Sequence, residues 1–430
     1  MYITQCLIAK NEEANIEHCL SHLKTVVDEQ IVIDTGSTDR TVELAEIMGA
    51  KVFHFDWIND FSAARNFALD KAKGDWIIFL DCDEYFSEDS VPLIRKCIKK
   101  FGRQKKIEGL TTNFINIKSN GEIISAVKNV SARIFKRKSY LRYKNKIHEV
   151  LVNVNKTDDN IVRADISDLL KIYHTGYDKT IVNEKNKNER NFQLLERELK
   201  NNPKDIKINY YMSRQMNIEG KYEKAIEYGL KAISYIDDFY EFDYYCTIYS
   251  GIMINMLSLL KSYDEIKVIF DDAIKKYPGY PDYYWLLGIA AVRGNKYEEA
   301  VNLLEKCIKL CEKYNCNAES LALGKIDDVY IELLNAYNHQ NNKHKIVKTA
   351  VSILKVNKYN IQVLIILLNT FLTQEKEENI VAFLNKIYDY NLFKDKIYLF
   401  KASKIVDNII LVEFFRKLFN DEELKKINNI

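Results

Sequence analysis

The sequence has almost no net charge: 63 Lys and Arg stand against 61 Asp and Glu over 430 residues, a formal +2. That balance removes any overall electrostatic drive toward nucleic acid or an anionic membrane surface. No apolar run approaches the ~20 residues that a membrane-spanning helix needs. The first residues, Met1-Tyr2-Ile3-Thr4-Gln5, enter an apolar strand pattern without the basic leader and small-residue cleavage site of a secretory signal. A dense disulfide framework is also missing, since the eight cysteines (Cys6, Cys19, Cys82, Cys97, Cys246, Cys307, Cys311, Cys316) are scattered through expected strands and helices. These absences lead us to expect a reduced, cytoplasmic protein with no transmembrane segment and no nucleic-acid partner. Cys307, Cys311 and Cys316 lack a paired ligand set, so their helical spacing favours small core residues over a metal cluster. Composition is otherwise that of a globular protein, with 47% hydrophobic and 29% charged residues, and the length admits two or three domains.

What is present divides into two patterns. Up to about residue 175, short apolar runs alternate with amphipathic stretches. Tyr2 to Ala9, Gln30 to Thr35, Lys51 to Phe55 and Trp76 to Leu80 read as strands; Glu12 to Leu23, Asp39 to Met48, Phe61 to Ala72 and Ser90 to Lys100 read as helices. This alternation predicts a mostly parallel α/β sheet covered on both faces. From Gly109 to Tyr143 the strands crowd together around a turn at Ser119-Asn120-Gly121, which predicts an antiparallel extension. Beyond Lys204 the pattern is helical throughout. Gly220-Lys221-Tyr222-Glu223-Lys224-Ala225 with Ala232 has parallels in Ser262 to Ile266 with Ala273, and in Asn295 to Ala300 with Cys307. Weaker copies centre on Ile346 with Ile353 and on Ile380 with Ile387. The interval from Ala225 to Ile266 is 41 residues and that from Ile266 to Ala300 is 34; the longer one implies an extended helix or turn. Together with Trp285, Leu287 and Gly288, these copies resemble tetratricopeptide repeats, whose stacked helix pairs leave a concave face for a peptide or protein or else dimerise. The expected divisions are 1–180 for the α/β domain, 181–203 for a helical linker and 204–430 for the repeats.

The chemistry gathers at strand ends. Ile77-Ile78-Phe79-Leu80 runs into Asp81-Cys82-Asp83-Glu84, an apolar strand that stops at two carboxylates. In an open α/β sheet ligands bind beyond the carboxyl ends of the strands, and acids there suit a divalent cation carrying phosphates. Strand alternation directs Cys82 away from that edge. The first strand ends in Lys10-Asn11-Glu12-Glu13 and the second in Asp34-Thr35-Gly36-Ser37-Thr38-Asp39. Ser37, Thr38 or Asp39 can cap the next helix, whereas Asp34 suits a uracil imide or a ribose hydroxyl.

These runs, with Asp60-Phe61-Ser62-Ala63-Ala64-Arg65-Asn66, Arg133-Ile134-Phe135, Lys146-Ile147-His148-Glu149 and His174-Thr175-Gly176-Tyr177 in this order, resemble family 2 glycosyltransferases of GT-A fold. The trailing repeats are similar to the branch of bacterial protein and peptide glycosyltransferases that includes enzymes glycosylating cysteine in glycopeptide bacteriocins. The resemblance implies a UDP-sugar donor and Mn2+ or Mg2+ held by the DxD acids. On that basis Asp83 is a metal ligand, joined by Asp81 and His174, with Asp81 also turned toward ribose or a metal-bound water. Asn11, Glu12, Asp34 and Ser37 line the base and ribose pocket. Arg65 and Asn66 lie near the diphosphate or sugar, unless Arg65 forms a surface ion pair with Asp60 or Asp70. His148 joins the donor site, and Glu149 is the base of a single inverting displacement or else orients His148.

No Gln-x-x-Arg-Trp motif of processive synthases is present, which favours transfer of one or a few hexoses, of glucose or N-acetylglucosamine type, to a Ser, Thr or Cys side chain. The alternatives are transfer to a cell-envelope saccharide or lipid-linked glycan, and an inert scaffold. Nucleotidyl transfer needs a glycine-rich loop after the first strand, and Lys10-Asn11-Glu12-Glu13 is not one.

Overall fold

Four apolar runs of the first half become parallel strands: β1 (Ile3–Ala9), β2 (Glu29–Asp34), β3 (Lys51–His54) and β4 (Trp76–Phe79). They are linked by α1 (Ile16–Leu23), α2 (Thr41–Ile47) and α3 (Phe61–Lys71). Every residue of β2 and β4 is buried, as expected of strands covered on both faces. Period-two alternation sorts their side chains. Leu7, Val32 and Ile78 join one apolar core, and Cys6, Ile31, Ile33, Ile77 and Phe79 join the other.

This computed structural model describes residues 1–118, 120–157, 160–175, 184–236, 245–315, 318 and 320–427. The chain forms two compact units, Met1–Pro203 and Lys204–Ile430. The first continues with β5 (Glu84–Phe86), α4 (Val91–Gly102), β6 (Gly109–Ile117), β7 (Ile123–Lys136), β8 (Leu141–Lys144), β9 (Val150–Asn153), β10 (Arg163–Asp165), β11 (Lys171–His174) and α5 (Glu184–Asn201). The main sheet runs β3-β2-β1-β4-β7-β6-β11-β5, with β10 on β6, while β8 and β9 pair separately. The antiparallel extension is present, β7 lying antiparallel to both β4 and β6. Of its expected turn, Gly121 donates to the Lys118 carbonyl at 2.9 Å and takes φ +82°, whereas Ser119 lies outside the described residues.

Most boundaries move by one or two residues from expectation, and the start of the first helix by four. The helix expected from Glu12 is continuous only from Ile16; the Glu12 carbonyl already accepts from the Asn15 and Ile16 amides at 2.9 Å, while the Glu12 and Glu13 amides, which a helical turn leaves unpaired, donate across to Thr41 and Asp39. The apolar run through Leu80 ends as a strand at Phe79, and residues 82–83 turn.

The second unit is a series of helical hairpins: α6 (Ile206–Ile218) with α7 (Tyr222–Ser234), α8 (Cys246–Ser258) with α9 (Tyr263–Lys276), and α10 (Pro281–Arg293) with α11 (Tyr297–Cys311). After the short α12 (Leu321–Gly324) come α13 (Ile326–His339), α14 (Lys343–Val356), α15 (Ile361–Leu372), α16 (Glu377–Leu384), α17 (Phe393–Ile405), α18 (Ile409–Lys417) and α19 (Asp421–Ile427). The repeat positions Ala225, Ala232, Ile266, Ala273, Ala300, Cys307, Ile346, Ile353 and Ile380 are all buried, so this region fits tetratricopeptide-like repeats. Ile387 falls after the end of α16 and is only partly buried. At Gly288 an added Cβ would lie 2.7 Å from Leu304 Cδ2, which explains a glycine where α10 meets α11. The extra residues of the 41-residue interval fall between α7 and α8, where 237–244 lie outside the described residues. Cys307 and Cys311 are buried in the helical core, and Cys316 lies outside the described residues.

Gly74 sets the entry to β4. A Cβ there would sit 2.6 Å from the Trp76 carbonyl oxygen and 2.7 Å from the Thr4 amide, both backbone atoms. Overpacking of this kind costs about 1–3 kcal/mol. Gly74→Ala is therefore expected to lower the urea midpoint followed by Trp57 and Trp76 fluorescence; an unchanged midpoint would show that the 72–75 turn yields freely.

Candidate active site

Because β1, β2 and β4 are parallel and in register, with Ala9 opposite Asp34 and Cys6 opposite Phe79, their following loops emerge along one edge. The first two loops are stitched together. The Asn11 amide donates to Ser37 Oγ at 3.0 Å, the Thr38 amide to Asn11 Oδ1 at 2.8 Å, and the Glu12 amide to Thr41 Oγ1 at 2.7 Å. The structure thus brings Asn11, Glu12, Asp34 and Ser37 together. Asp34 also does what a turn requires: its carboxylate accepts from the amides of Gly36 and Ser37 at 3.2 and 3.0 Å and faces His54 Nδ1 at 3.2 Å. Burial would raise this carboxyl, but the bonds from Ser37, His54 and Gly36 hold it below the usual carboxylate range.

At the end of β4, Cys82 is buried and its thiol lies 3.6 Å from the Ile8 carbonyl oxygen. The two aspartates diverge. Asp81 Oδ1 accepts from Arg65 Nη2 at 2.9 Å and Asp81 Oδ2 faces Arg133 Nη2 at 3.4 Å. Arg65 Nε donates to Glu149 Oε1 at 2.6 Å, and Arg133 also pairs with the buried Glu84. The result is a row of alternating charges, Glu149, Arg65, Asp81, Arg133 and Glu84. Burial opposes the Asp81 charge, yet Arg65 and Arg133 outweigh it and hold the carboxyl down. Glu84 goes the other way, because burial and the charge of Asp81 push it up against Arg133.

Arg65 is 5% exposed, and its guanidinium lies 4.7 Å from the Phe79 ring centroid and 5.3 Å from that of Tyr143. The surface ion pair with Asp60 or Asp70 does not form. Asp60 instead caps α3 by accepting from the Ala63 amide, and Asp70 pairs with Arg142. Asn66, expected near diphosphate or sugar, uses its amide group on the Tyr143 backbone, accepting from N and donating to O at 2.9 Å each. It anchors β8 to α3. The loop after β8 returns to α3 through the Phe61 amide and the Lys146 carbonyl at 2.9 Å, and Lys146 pairs with Glu198 of α5 at 2.8 Å. Asn145 and His148 take left-handed φ values of 73° and 53°; His148 is exposed, and the next residue, Glu149, reaches Arg65.

Asp83 belongs to a different cluster. β11 pairs antiparallel with β5, His174 opposite Glu84, and parallel with β6, His174 opposite Asn116. This places His174 Nε2 3.4 Å from Asp83 Oδ2 and His174 Nδ1 2.8 Å from Asn116 Oδ1. With Nδ1–H donating to the amide oxygen, Nε2 is the nitrogen offered to Asp83 or to a cation. Burial disfavours the imidazolium, but Asp83, Glu84 and Asp81 together raise the His174 pKa. Among the described residues no group of three His, Cys, Asp or Glu is arranged to hold a metal. Asp83 and His174 face each other, whereas both oxygens of Asp81 face arginines. Gly176 and Tyr177 of the last motif lie outside the described residues.

The profile described as glycosyl transferase family 2 matches residues 5–150. This segment is a family 2 glycosyltransferase domain. The chain is 30% identical over 234 residues to glycosyltransferase SunS of Bacillus subtilis, covering 54% of this chain and 53% of SunS. It is also 30% identical over 236 residues to a TPR repeat-containing protein of Synechococcus elongatus, covering 53% of this chain and 56% of that protein. The structure of Staphylococcus aureus TarS is similar at a TM-score of 0.34 and 14% identity, over 63% of this chain and 55% of TarS. The chain spans about half the length of the curated relatives it matches. Within the glycosyltransferase domain, three contributors carried no assigned role in the sequence reading: Glu84, Arg133 and Asn116. Arg133 and Asn116 lie in strands of mixed polarity, GLTTNFINI and IISAVKNVSARIFK, where one polar residue does not stand out from the others. No helix among the described residues is long and apolar enough to cross a membrane.

Arg65→Leu leaves Asp81 and Glu149 without their shared cation. Breaking such a buried pair costs about 3 kcal/mol, toward the lower end because Asp81 is partly exposed. Guanidinium denaturation is expected to show that loss, with Arg65→Lys intermediate; wild-type stability in Arg65→Leu would mean the carboxylates are hydrated.

Proposed function

We propose that the chain transfers a hexose from a UDP-sugar to a Ser, Thr or Cys side chain of a protein or peptide, in one inverting displacement assisted by a divalent cation. The observation that carries this reading is the separation of two acids one residue apart, Asp81 into an arginine-bound row ending in Glu149 and Asp83 onto His174. The glycosyltransferase domain and the relative named SunS support the reaction class. The helical repeats, and a relative named as TPR repeat-containing, support a polypeptide acceptor. The free thiols of Cys6, Cys19, Cys82, Cys97, Cys246, Cys307 and Cys311 suit a reducing cytoplasm.

Asp83 and His174 are the residues that would hold the cation. One carboxylate oxygen and one imidazole nitrogen suit Mn2+ better than Mg2+, which prefers oxygen throughout, and a two-ligand site leaves positions for phosphate oxygens and water. When bound, the cation would stabilise negative charge on the departing diphosphate. Around it the protein's own groups position the donor: the joined loops carrying Asn11, Glu12, Asp34 and Ser37 receive base and ribose, and Asn116 fixes the His174 ring. Glu149 is oriented through Oε1 by Arg65, and Oε2 takes the acceptor proton as oxygen or sulfur attacks the anomeric carbon and the bond to the diphosphate breaks.

The test is UDP release from a panel of UDP-sugars with Mn2+ or Mg2+, with and without chelator. Release from one donor, stronger with Mn2+, lost with chelator and in Asp83→Ala, is expected; chelator-resistant turnover would remove the cation from the mechanism. Asn116→Leu should weaken Mn2+ binding measured by electron paramagnetic resonance about 10–100-fold, whereas an unchanged affinity would strip Asn116 of its orienting role. Glu149→Gln should keep donor binding and lose transfer, and normal transfer by that variant would exclude Glu149 as the base.

A further inference from the structure

Arg65, Arg133 and Arg190 of the Met1–Pro203 unit are all withdrawn from water, but on unequal terms. Burial opposes the charges of Arg65 and Arg133, yet Asp81 and Glu149 beside the first, and Glu84 and Asp81 beside the second, outweigh it and raise both pKa values. Arg190 of α5 is half-buried and, among the described residues, no oxygen accepts from its guanidinium. Burial lowers its pKa, and the charge of Glu149 offsets that only in part. A cation withdrawn from water without a bonded anion is costly, and an incoming anion would relieve it.

The place of Arg190 is beside the proposed base. Phe61 and Arg65 stand one turn apart on the same face of α3. Arg190 Cζ lies 5.0 Å from the centroid of the Phe61 ring, and Arg65 Nε holds Glu149. Trp57 packs edge-on against Phe61 with ring centroids 4.8 Å apart and is itself partly exposed, so the guanidinium sits against an aromatic wall. The acids around it are engaged elsewhere: Glu149 with Arg65, Glu198 with Lys146, and Asp60 with the Ala63 amide. Of the three Arg190 nitrogens, Nε alone is both enclosed and unbonded, which leaves the Nη pair open to an anion. Arg190 lies past the Glu149 end of the charge row, whereas Asp83 and His174 lie at the Glu84 end, where β11 sets His174 opposite Glu84. An anion on Arg190 is thus remote from the residues that would hold the cation and its diphosphate, and it belongs to the acceptor.

We infer that Arg190 is a specificity residue for the acceptor, binding a carboxylate that neighbours the attacking Ser, Thr or Cys. The carboxylate comes from an Asp or Glu side chain or from a chain terminus, and the Nη groups receive it through two parallel bonds. Binding there completes the charge that Glu149, held by Arg65, leaves uncompensated, and sets the attacking atom next to Glu149. The inference rests on the polypeptide-acceptor reading.

The experiment uses the full-length chain, Mn2+, the UDP-sugar that the donor panel selects, and short synthetic peptides carrying one Ser, Thr or Cys flanked by Asp, Glu, Ala or Lys, each with a free or an amidated C-terminus. Sugar addition is followed by mass spectrometry. Carboxylate-flanked peptides are expected to show a KM roughly tenfold below that of alanine-flanked ones, the scale of one hydrogen bond between charged groups. Preference among amidated peptides assigns the carboxylate to a side chain, and preference confined to free termini assigns it to a chain end. Arg190→Ala should raise the KM of carboxylate-flanked peptides to that of alanine-flanked ones, Arg190→Lys should keep part of the difference, and Arg190→Glu should turn the preference toward lysine flanks. A folding defect would slow every flank alike. Wild-type transfer without flank preference, preference kept in Arg190→Ala, or loss of UDP affinity in that variant with preference intact overturns the inference. UDP release dependent on Asp83 separates the readings: release and peptide transfer without flank preference remove this inference alone, release without transfer to any peptide removes it together with the polypeptide acceptor, and no release removes the transferase reading as well.

Discussion

The site depends on how a guanidinium is buried at Arg65. Removing such an ion from water costs several kcal/mol unless carboxylates and well-placed contacts replace its hydration. Here Asp81 and Glu149 supply the charges, and the faces of Phe79 and Tyr143 supply the contact. Those partners come from the end of β4, from β8 and from the loop after β8. One buried cation on α3 therefore ties together two segments far apart in sequence, the end of β4 and β8 with its following loop. It also decides what the first aspartate can do, since a carboxylate shared by two arginines is a poor candidate for additional metal duty.

The sheet supplies the rest of the geometry. Three parallel strands deliver Asn11, Asp34 and Asp81 to one edge because parallel neighbours end on the same side. The reversal at β7 is what brings Arg133 beside Asp81, since its antiparallel pairing with β4 sets Ile134 opposite Ile78. A second reversal, β5 against β11, sets His174 across from Glu84 and next to Asn116.

Much of this was legible in the sequence because it is written locally. The βα alternation, the acids after Ile77 to Leu80, and the small residues at Ala225, Ala232, Ala273 and Ala300 are all short-range patterns, and each corresponds to a physical period or an abrupt change of polarity. Partner choice was not legible. Asp60 and Asp70 lie within five residues of Arg65 and looked like its counter-ions, yet Asp60 is claimed by the helix N-terminus and Asp70 by Arg142. The carboxylate that takes Arg65 Nε is Glu149, 84 residues away. Asn66 looked like a ligand-binding amide and instead holds the Tyr143 backbone. A polar residue can satisfy its hydrogen bonds in several ways, and only the folded chain selects among them.

The divergence of Asp81 and Asp83 follows from the residue between them. Cys82 is drawn into the core, its thiol against the Ile8 carbonyl, and burial drives that thiol strongly toward its neutral form, so it acts as a small apolar plug. With the middle residue fixed inward, both neighbours are turned toward the edge of the sheet. Asp81 falls on the side of β7 and meets the arginines; Asp83 falls on the side of β11 and meets His174, its own carbonyl accepting from the Thr175 amide at 3.1 Å. One acid is thereby committed to holding the site together and the other is left beside an imidazole. Two carboxylates that are equivalent in composition become different in chemistry through a turn of three residues.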